Sequence, residues 1–546
     1  MKVFQSIGVL LMIVLISGCS SNQTDEKHHG VAVTLFSPGN GDGTYSNPII
    51  QADYSDPDAI RVGNDFYMTA SSFNCSPGLP ILHSKDLVNW QIITHACKDV
   101  FPKAHYNKVQ HGNGIWAPAI RYHNNSYYIF YGDPDFGIFM IKAAKPEGPW
   151  TEPLLIKETK GWIDPCPLWD EDGNAYLVHA YAGSRAGIKS ILAVNRLKPD
   201  GTEILNDGQI IFDGHAHHPT IEGPKFYKRN GYYYVFAPAG GVSTGWQTIL
   251  RSKHIYGPYE EKVVLHQGST AVNGPHQGAW VQLANNEDWF IHFQDMEAYG
   301  RVVHLQPMNW ESGWPVMGQN ASGVGEPVKR FKKPSVSLSA DIQPLSMDNE
   351  FNGEPYPLWQ WHANKGIDWA MNFPAASVQR LYCQFYPDDY RNFWGISTLF
   401  MQKFPATEFE VNSKIKLNLQ NTGEACGLIV MGEDYCRLEF FNDNNQLLVR
   451  SCLCINARSK ANEQLSEPVT VLSADIYLKL VVKEGAICDL MFSENGRDYK
   501  VLLNDFAAQP GRWIGSKFGF YALKQSHNND SGWLDIDWVR YKTDKQ

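Results

Sequence analysis

The stretch HPTIEGPKFYKRNGYYYVFA, residues 218–237, sets one acid, Glu222, directly ahead of a Gly-Pro and two alternating strands joined by an Asn-Gly turn. Alternation of apolar and polar residues reads as a half-buried strand, and Asn-Gly as a tight hairpin turn. An acid at the head of such a strand needs somewhere open to stand. The rest of the chain supplies the reason by repeating the same punctuation.

Four further copies carry a residue followed by Pro or Gly, a short strand, a turn, and a second strand rich in Tyr and Phe. They are SDPDAIRVGNDFYMTAS, WAPAIRYHNNSYYIFYG, DPCPLWDEDGNAYLVHA and HQGAWVQLANNEDWFIHFQ. The five starts, read at Asp56, Trp116, Asp164, Glu222 and His276, lie roughly 50 to 60 residues apart, a period that accommodates four strands per unit. Each unit continues into a third strand and a turn, as in SKDLVNW, PEGPW, LKPDG, IYGPY and MNWESGW. Five such units predict an all-β, five-bladed β-propeller, whose closure removes exposed sheet edges. In a propeller the first strand of every blade lines the central channel, so the five starts converge at one mouth. Glu222 is then expected at the floor of a funnel beside Asp56, Asp164, Trp116 and His276.

From FKKPSVSLSADIQPLSMDNEF onward the repeat vanishes. Short strands such as EFEVNSKIKLNL, ACGLIVMG, CRLEFF and GWLDIDWVRY predict a β-sandwich of the jelly-roll or lectin-like kind. The expected organisation is a leader at 1–18, a tether at 19–44, the propeller at 45–328, a linker at 329–345 and the sandwich at 346–546.

Bulk properties narrow the function. With 546 residues, 43% hydrophobic and 13% aromatic, the chain can build two large cores. The net charge of -10, without a basic stripe, excludes nucleic acid as the expected partner and favours a neutral or polar small substrate. The leader combines Lys2, an apolar run and LISGC, which resembles a bacterial lipobox with Cys19 as the lipidated residue. A cell-envelope protein anchored in the outer membrane is the resulting expectation. The remaining nine of ten cysteines form no CxxC pair and read as small buried hydrophobes.

Three carboxylates around one pocket suit glycoside hydrolysis, in which one acid protonates the leaving oxygen and another, ionised, activates water or attacks. A third can hold the other two at different pKa values. Pattern alone leaves open which acid plays which role, and each Asp beside a Pro could instead serve as a turn residue. Asp53 and Asp58 read as support. Trp116, and with less weight Phe73, offer apolar walls for a sugar face. Trp246 and Trp280 would extend that platform or lie in the core.

Residues 47–318 resemble glycoside hydrolase family 43, the β-xylosidase and α-L-arabinofuranosidase group, through NPIIQADYSDPDAIRVGNDFYM, GIWAPAIRY, WIDPCPLWDEDG, IEGPKFYKRNGYYY and GRVVHLQPMNWESGWPV. The later segment is similar to the concanavalin-like module of β-xylosidases in that group. The resemblance implies Asp56 as general base, Glu222 as general acid, and Asp164 as the residue that tunes and positions it. It implies an inverting reaction with the two principal carboxylates about 6.5 to 9.5 Å apart. Arg301 would reach a sugar hydroxyl, and His276 would stand near the axis, where family members sometimes carry a calcium or sodium ion. No cofactor is required for the chemistry. The substrate implied is a plant cell-wall oligosaccharide carrying terminal arabinofuranose or xylose. An endo-acting arabinanase on the same fold and a lapsed, carbohydrate-binding lipoprotein are the alternatives.

Overall fold

The computed structural model describes residues 32–320, 323–336, 344–525 and 530–542; the leader and Cys19 lie outside the described residues. Five antiparallel blades follow one another along the chain, each built from four consecutive strands, with two short strands added to the edge of the fourth. Their innermost strands are Asp58–Val62, Trp116–His123, Trp162–Trp169, Lys225–Arg229 and His276–Gln282. The segment ahead of the first blade runs along the fifth: the Ile49 N–H donates to Val303 O at 2.7 Å, the Val303 N–H to Ile50 O at 3.0 Å and the Tyr54 N–H to Arg301 O at 2.9 Å. Packing and a clip complete the closure of the ring.

Packing across the seam joins Ala59, Phe66 and Leu82 of the first blade to Ala279, Val281, Ile291 and Leu305 of the fifth in one buried cluster. The clip pairs Thr44–Ser46 antiparallel with Arg330–Lys332. Beside it, the Asn47 amide donates to the carbonyls of Leu305 and Val328 and accepts from the Leu305 N–H, each at 2.8 Å. Strands flanking the propeller on either side thereby satisfy one another's backbone groups. Residues 330–332 fall in the stretch expected to be a linker, yet they belong to this closure. The tether likewise is part of the body near its end, where the Val33 N–H donates to Ser346 O at 3.0 Å.

The second unit is a sandwich of a nine-stranded and a seven-stranded sheet. Alternation in strands such as Phe409–Asn418 and Asp475–Lys483 sends Val411, Ile415, Leu478 and Leu480 inward to a shared core. That core also takes in Ala298 and Tyr299 of the propeller. The Tyr299 hydroxyl accepts from the Ala486 N–H at 2.7 Å and donates to Thr407 O at 2.9 Å, so the two units share buried apolar area and hydrogen bonds. The nine described cysteines are all buried free thiols.

Candidate active site

The backbone at the blade starts is the feature that aims the site. Asp56, Ala117, Asp164, Gly223 and Gln277 all have positive φ, at 54°, 36°, 56°, 59° and 39°. Each immediately precedes the Pro or Gly of its repeat, and the ladder registers slip at this point in the second, third and fifth blades. Five left-handed residues in equivalent places mark a turn that delivers the chain into the channel mouth, a conformation costly for non-glycine residues and concentrated at functional sites. In the fourth blade the place is glycine, and a Cβ there would lie 2.7 Å from the Gln277 side chain, which would have to shift.

This alignment corrects the expected equivalence of the five starts. Asp56 and Asp164 occupy the left-handed position itself, whereas Glu222 sits one residue earlier, in line with Ser55, Trp116, Ile163 and His276. Two acids therefore enter the pocket from one position of the turn and the third from its neighbour. The offset fits Glu222 for a different task from the other two.

All seven residues expected in the pocket line one cavity of about 360 Å³: Asp56, Phe73, Trp116, Asp164, Glu222, His276 and Arg301. Asp56 is buried and accepts hydrogen bonds from Ser55 Oγ at 2.7 Å and Ser71 Oγ at 2.6 Å. Arg301 Nη1 stands 3.4 Å from Asp56 Oδ1 and donates to Ser55 Oγ at 2.5 Å. Its guanidinium carbon lies 4.9 Å from the Phe293 ring centre and 5.6 Å from that of Trp513, two cation–π contacts that help to hold the fork. Asp53, expected as support, takes that part: its Oδ1 accepts from the Arg301 N–H at 2.9 Å and its Oδ2 from the Gly515 N–H at 3.2 Å. Asp58 lies deeper, fully buried, with Oδ2 accepting from Arg121 Nη1 at 2.6 Å.

Asp164 Oδ2 accepts from the Gly223 N–H at 2.7 Å. Burial nevertheless dominates its titration and, with the charge of Asp56, pushes its pKa up to about 7. Glu222 is pushed up to about 8, first by burial, then by Asp164 and Asp56. Its side chain retains about a third of its exposure, which faces the open cavity and leaves the carboxyl accessible to a substrate. His276 is fully buried, and burial lowers its pKa to about 3, so the ring is neutral. Its Nε2 stands 3.6 Å from Glu222 Oε1 and neither ring nitrogen has a hydrogen-bond partner.

Phe73 and Trp116 meet edge to face at 6.5 Å and form one wall. Trp246 and Trp280 are not part of the pocket. Trp246 donates to His218 Nδ1 at 3.2 Å, and Trp280 is enclosed by Tyr227, Phe236 and Trp310 toward the far mouth of the channel. Sequence reasoning missed Trp513, which reaches the pocket from the sandwich on the loop QPGRWIGS. Trp513 has φ 64°, a strained setting for a bulky residue, and Gly511 and Gly515 bracket it. A tryptophan between glycines in an interstrand loop was the available signal.

A model of glycosyl hydrolases family 43 matches residues 45–315, and one of the β-xylosidase C-terminal concanavalin A-like domain matches 348–542. A non-reducing end α-L-arabinofuranosidase of Bacteroides ovatus is 31% identical over 91% of this chain and 95% of its own. The chain belongs to glycoside hydrolase family 43. A protein of Xylanibacter ruminicola, provisionally named β-xylosidase, is 45% identical over 59% of this chain, and that match spans 60% of the relative. The crystal structure of a xylan β-1,4-xylosidase from Bacillus halodurans shares the two-unit fold, with a TM-score of 0.81, 22% identity, and coverage of 91% of this chain and 100% of that one.

Proposed function

We propose that this family 43 chain is an inverting, exo-acting hydrolase that removes terminal α-L-arabinofuranosyl or β-D-xylosyl residues from hemicellulose oligosaccharides. One observation carries the reading: three acids share a small cavity in which Glu222 alone combines a raised pKa with an accessible carboxyl. Protonated Glu222 gives its proton to the glycosidic oxygen as the bond from that oxygen to the anomeric carbon breaks. A water on the opposite face loses a proton to the Asp56 carboxylate as its oxygen bonds that carbon. Asp164 stays out of the bond changes, raises the proton affinity of Glu222 by its charge, and holds the Gly223 N–H. Arg301, Phe73, Trp116 and Trp513 orient the sugar.

Exo action is favoured over the endo alternative because the Trp513 loop walls one side of the mouth, where an endo enzyme needs an open groove. Family 43 catalysis needs no cofactor. A calcium or sodium ion at the axis would have to be held mainly by water. Among the described residues, no group of three or more His, Cys, Asp or Glu side chains is placed to hold a metal, and His276 alone does not make a site. Anchoring to the outer membrane through Cys19 is retained as part of the proposal, supported by LISGC and the polar stretch after it.

Assay of aryl α-L-arabinofuranoside and aryl β-D-xyloside with protein starting after Cys19 tests the reading. Turnover of either, abolished with an oligosaccharide substrate by Glu222→Gln, supports it. Activity confined to internal bonds of linear arabinan would favour the endo enzyme.

A further inference from the structure

The pocket mouth carries positive charge that the acid–base machinery does not use. Arg512 immediately precedes the wall residue Trp513, and its guanidinium carbon lies 3.9 Å from that ring's centre. Among the described residues it makes no ion pair and no hydrogen bond, although it is only partly exposed. Its stem packs on Gly112, where a Cβ would lie 2.4 Å from Arg512 Cγ. Gly112 O in turn accepts from Trp116 Nε1 at 2.8 Å, so Gly112 links the Arg512 stem to the Trp116 wall.

Arg185 stands over the other wall, 5.9 Å from the Trp116 ring, held by Asn113 at 2.9 Å and Asp135 at 3.1 Å. Arg458 is paired with Glu433 at 2.8 Å, and the Glu433 N–H donates to Pro510 O on the Trp513 loop at 2.8 Å. Lys189 is exposed close enough to act on the charge of Glu222. In a chain of net charge -10, three arginines and a lysine gather here against two acids, Asp135 bonded to Arg185 and Glu433 bonded to Arg458; Glu433 is near enough to act on Arg512 as well, but gives it no direct ion pair.

Under the proposed exo mode the terminal sugar fills the floor and the remainder of the oligosaccharide passes out of the cavity that Trp116 and Trp513 line. A guanidinium stacked on an indole keeps its in-plane N–H groups free, the geometry that grips a carboxylate with two hydrogen bonds. We infer that the mouth is a subsite for an anionic leaving group, with Arg512 binding the carboxylate of a uronic acid carried next to the sugar that is released. This deepens the exo-glycosidase reading and rests on it.

The test compares kcat/KM for an oligosaccharide bearing a uronic acid beside the scissile bond with its carboxyl-reduced counterpart, in wild type, Arg512→Gln and Arg512→Lys. Wild type is expected to favour the acidic substrate by about tenfold, the lower end of what hydrogen bonds to a charged group supply. The preference should shrink between about 0.05 M and about 1 M salt, fall to near parity in Arg512→Gln, and be partly kept in Arg512→Lys. Equal kcat/KM for the two substrates in wild type, or a preference that survives Arg512→Gln, overturns the inference alone. If Arg512→Gln fails to fold, the wild-type ratio and its salt dependence decide. Wild type that turns over neither substrate overturns the exo-glycosidase reading and this inference with it.

Discussion

The Gly223 N–H donates to Asp164 Oδ2 at 2.7 Å, tying the acid of the third blade to the residue directly after Glu222. That contact fixes where Glu222 begins and keeps a second negative charge near it. Much of the behaviour expected of the site follows from this pair.

Replacing Glu222 by Gln removes the proton donor without changing side-chain volume. The expected loss in kcat is about 10²- to 10⁴-fold on oligosaccharides, the usual contribution of general acid catalysis. Aryl glycosides whose leaving group departs without a proton should suffer far less. A uniform loss across leaving groups, measured by steady-state kinetics, would assign the proton to another residue.

With Glu222 raised to about 8, activity is expected to decline on the alkaline side as this group ionises. Asp164→Asn withdraws one of the charges that raise it, so the alkaline limb should move to lower pH while the Asn side-chain oxygen can still accept from Gly223. A pH–rate profile of kcat/KM checks both. An alkaline limb that stays in place would mean that Asp164 does not act on Glu222 electrostatically.

The same shift has a stability consequence. An acid whose pKa is raised in the folded state binds more protons there than when unfolded, so its contribution is full below the unfolded value near 4.5 and is lost as pH rises through about 8. Glu222→Gln should therefore match wild type in Tm near pH 4.5 and exceed it above pH 8. Calorimetry across that window reads the difference without any substrate.

Much of this was legible in the sequence, and the failures have identifiable causes. The five blades showed because Pro or Gly recurs after each start and Tyr/Phe-rich strands follow. Asp56, Asp164, Glu222, Trp116, Phe73, His276 and Arg301 were all brought to one cavity as the repeat and the family resemblance implied. The register of Glu222 was misread because aligning acid with acid ignores the backbone: the left-handed place belongs to Gly223, which has no side chain to advertise it. Trp513 was missed because it arrives from another domain, some 200 residues beyond the propeller's last blade, and periodicity in one domain says nothing about which loop of a second will face it. The clip between Thr44–Ser46 and Arg330–Lys332 escaped for a similar reason, since three-residue strands carry too little alternation to be seen.

Trp513→Ala should open the mouth and remove one of the two aromatic contacts of Arg301. KM for small exo substrates is expected to rise several-fold, with a smaller change in kcat, as befits a residue that binds the sugar and takes no part in proton transfer. Steady-state kinetics on an aryl glycoside would show the split, and an unchanged KM would remove Trp513 from the substrate's path.

Deleting residues 346–546 strips the cover from Ala298 and Tyr299 and leaves the Tyr299 hydroxyl without its Thr407 and Ala486 partners. The isolated propeller is expected to aggregate or to melt well below the intact chain, because an apolar interface and its hydrogen bonds are exposed together. Light scattering and thermal melts of the truncated protein would decide, and a soluble propeller with unchanged Tm would make the sandwich a dispensable appendage.

The central claim is that Asp56 and Glu222 act on opposite faces of the sugar in a single displacement. Proton NMR of the first sugar released from an aryl β-D-xyloside or α-L-arabinofuranoside, recorded before mutarotation, tests it most directly. The account predicts the anomer opposite in configuration to the substrate. First appearance of the retained anomer would contradict it, because it would require a covalent glycosyl-enzyme and a different division of labour among the three acids.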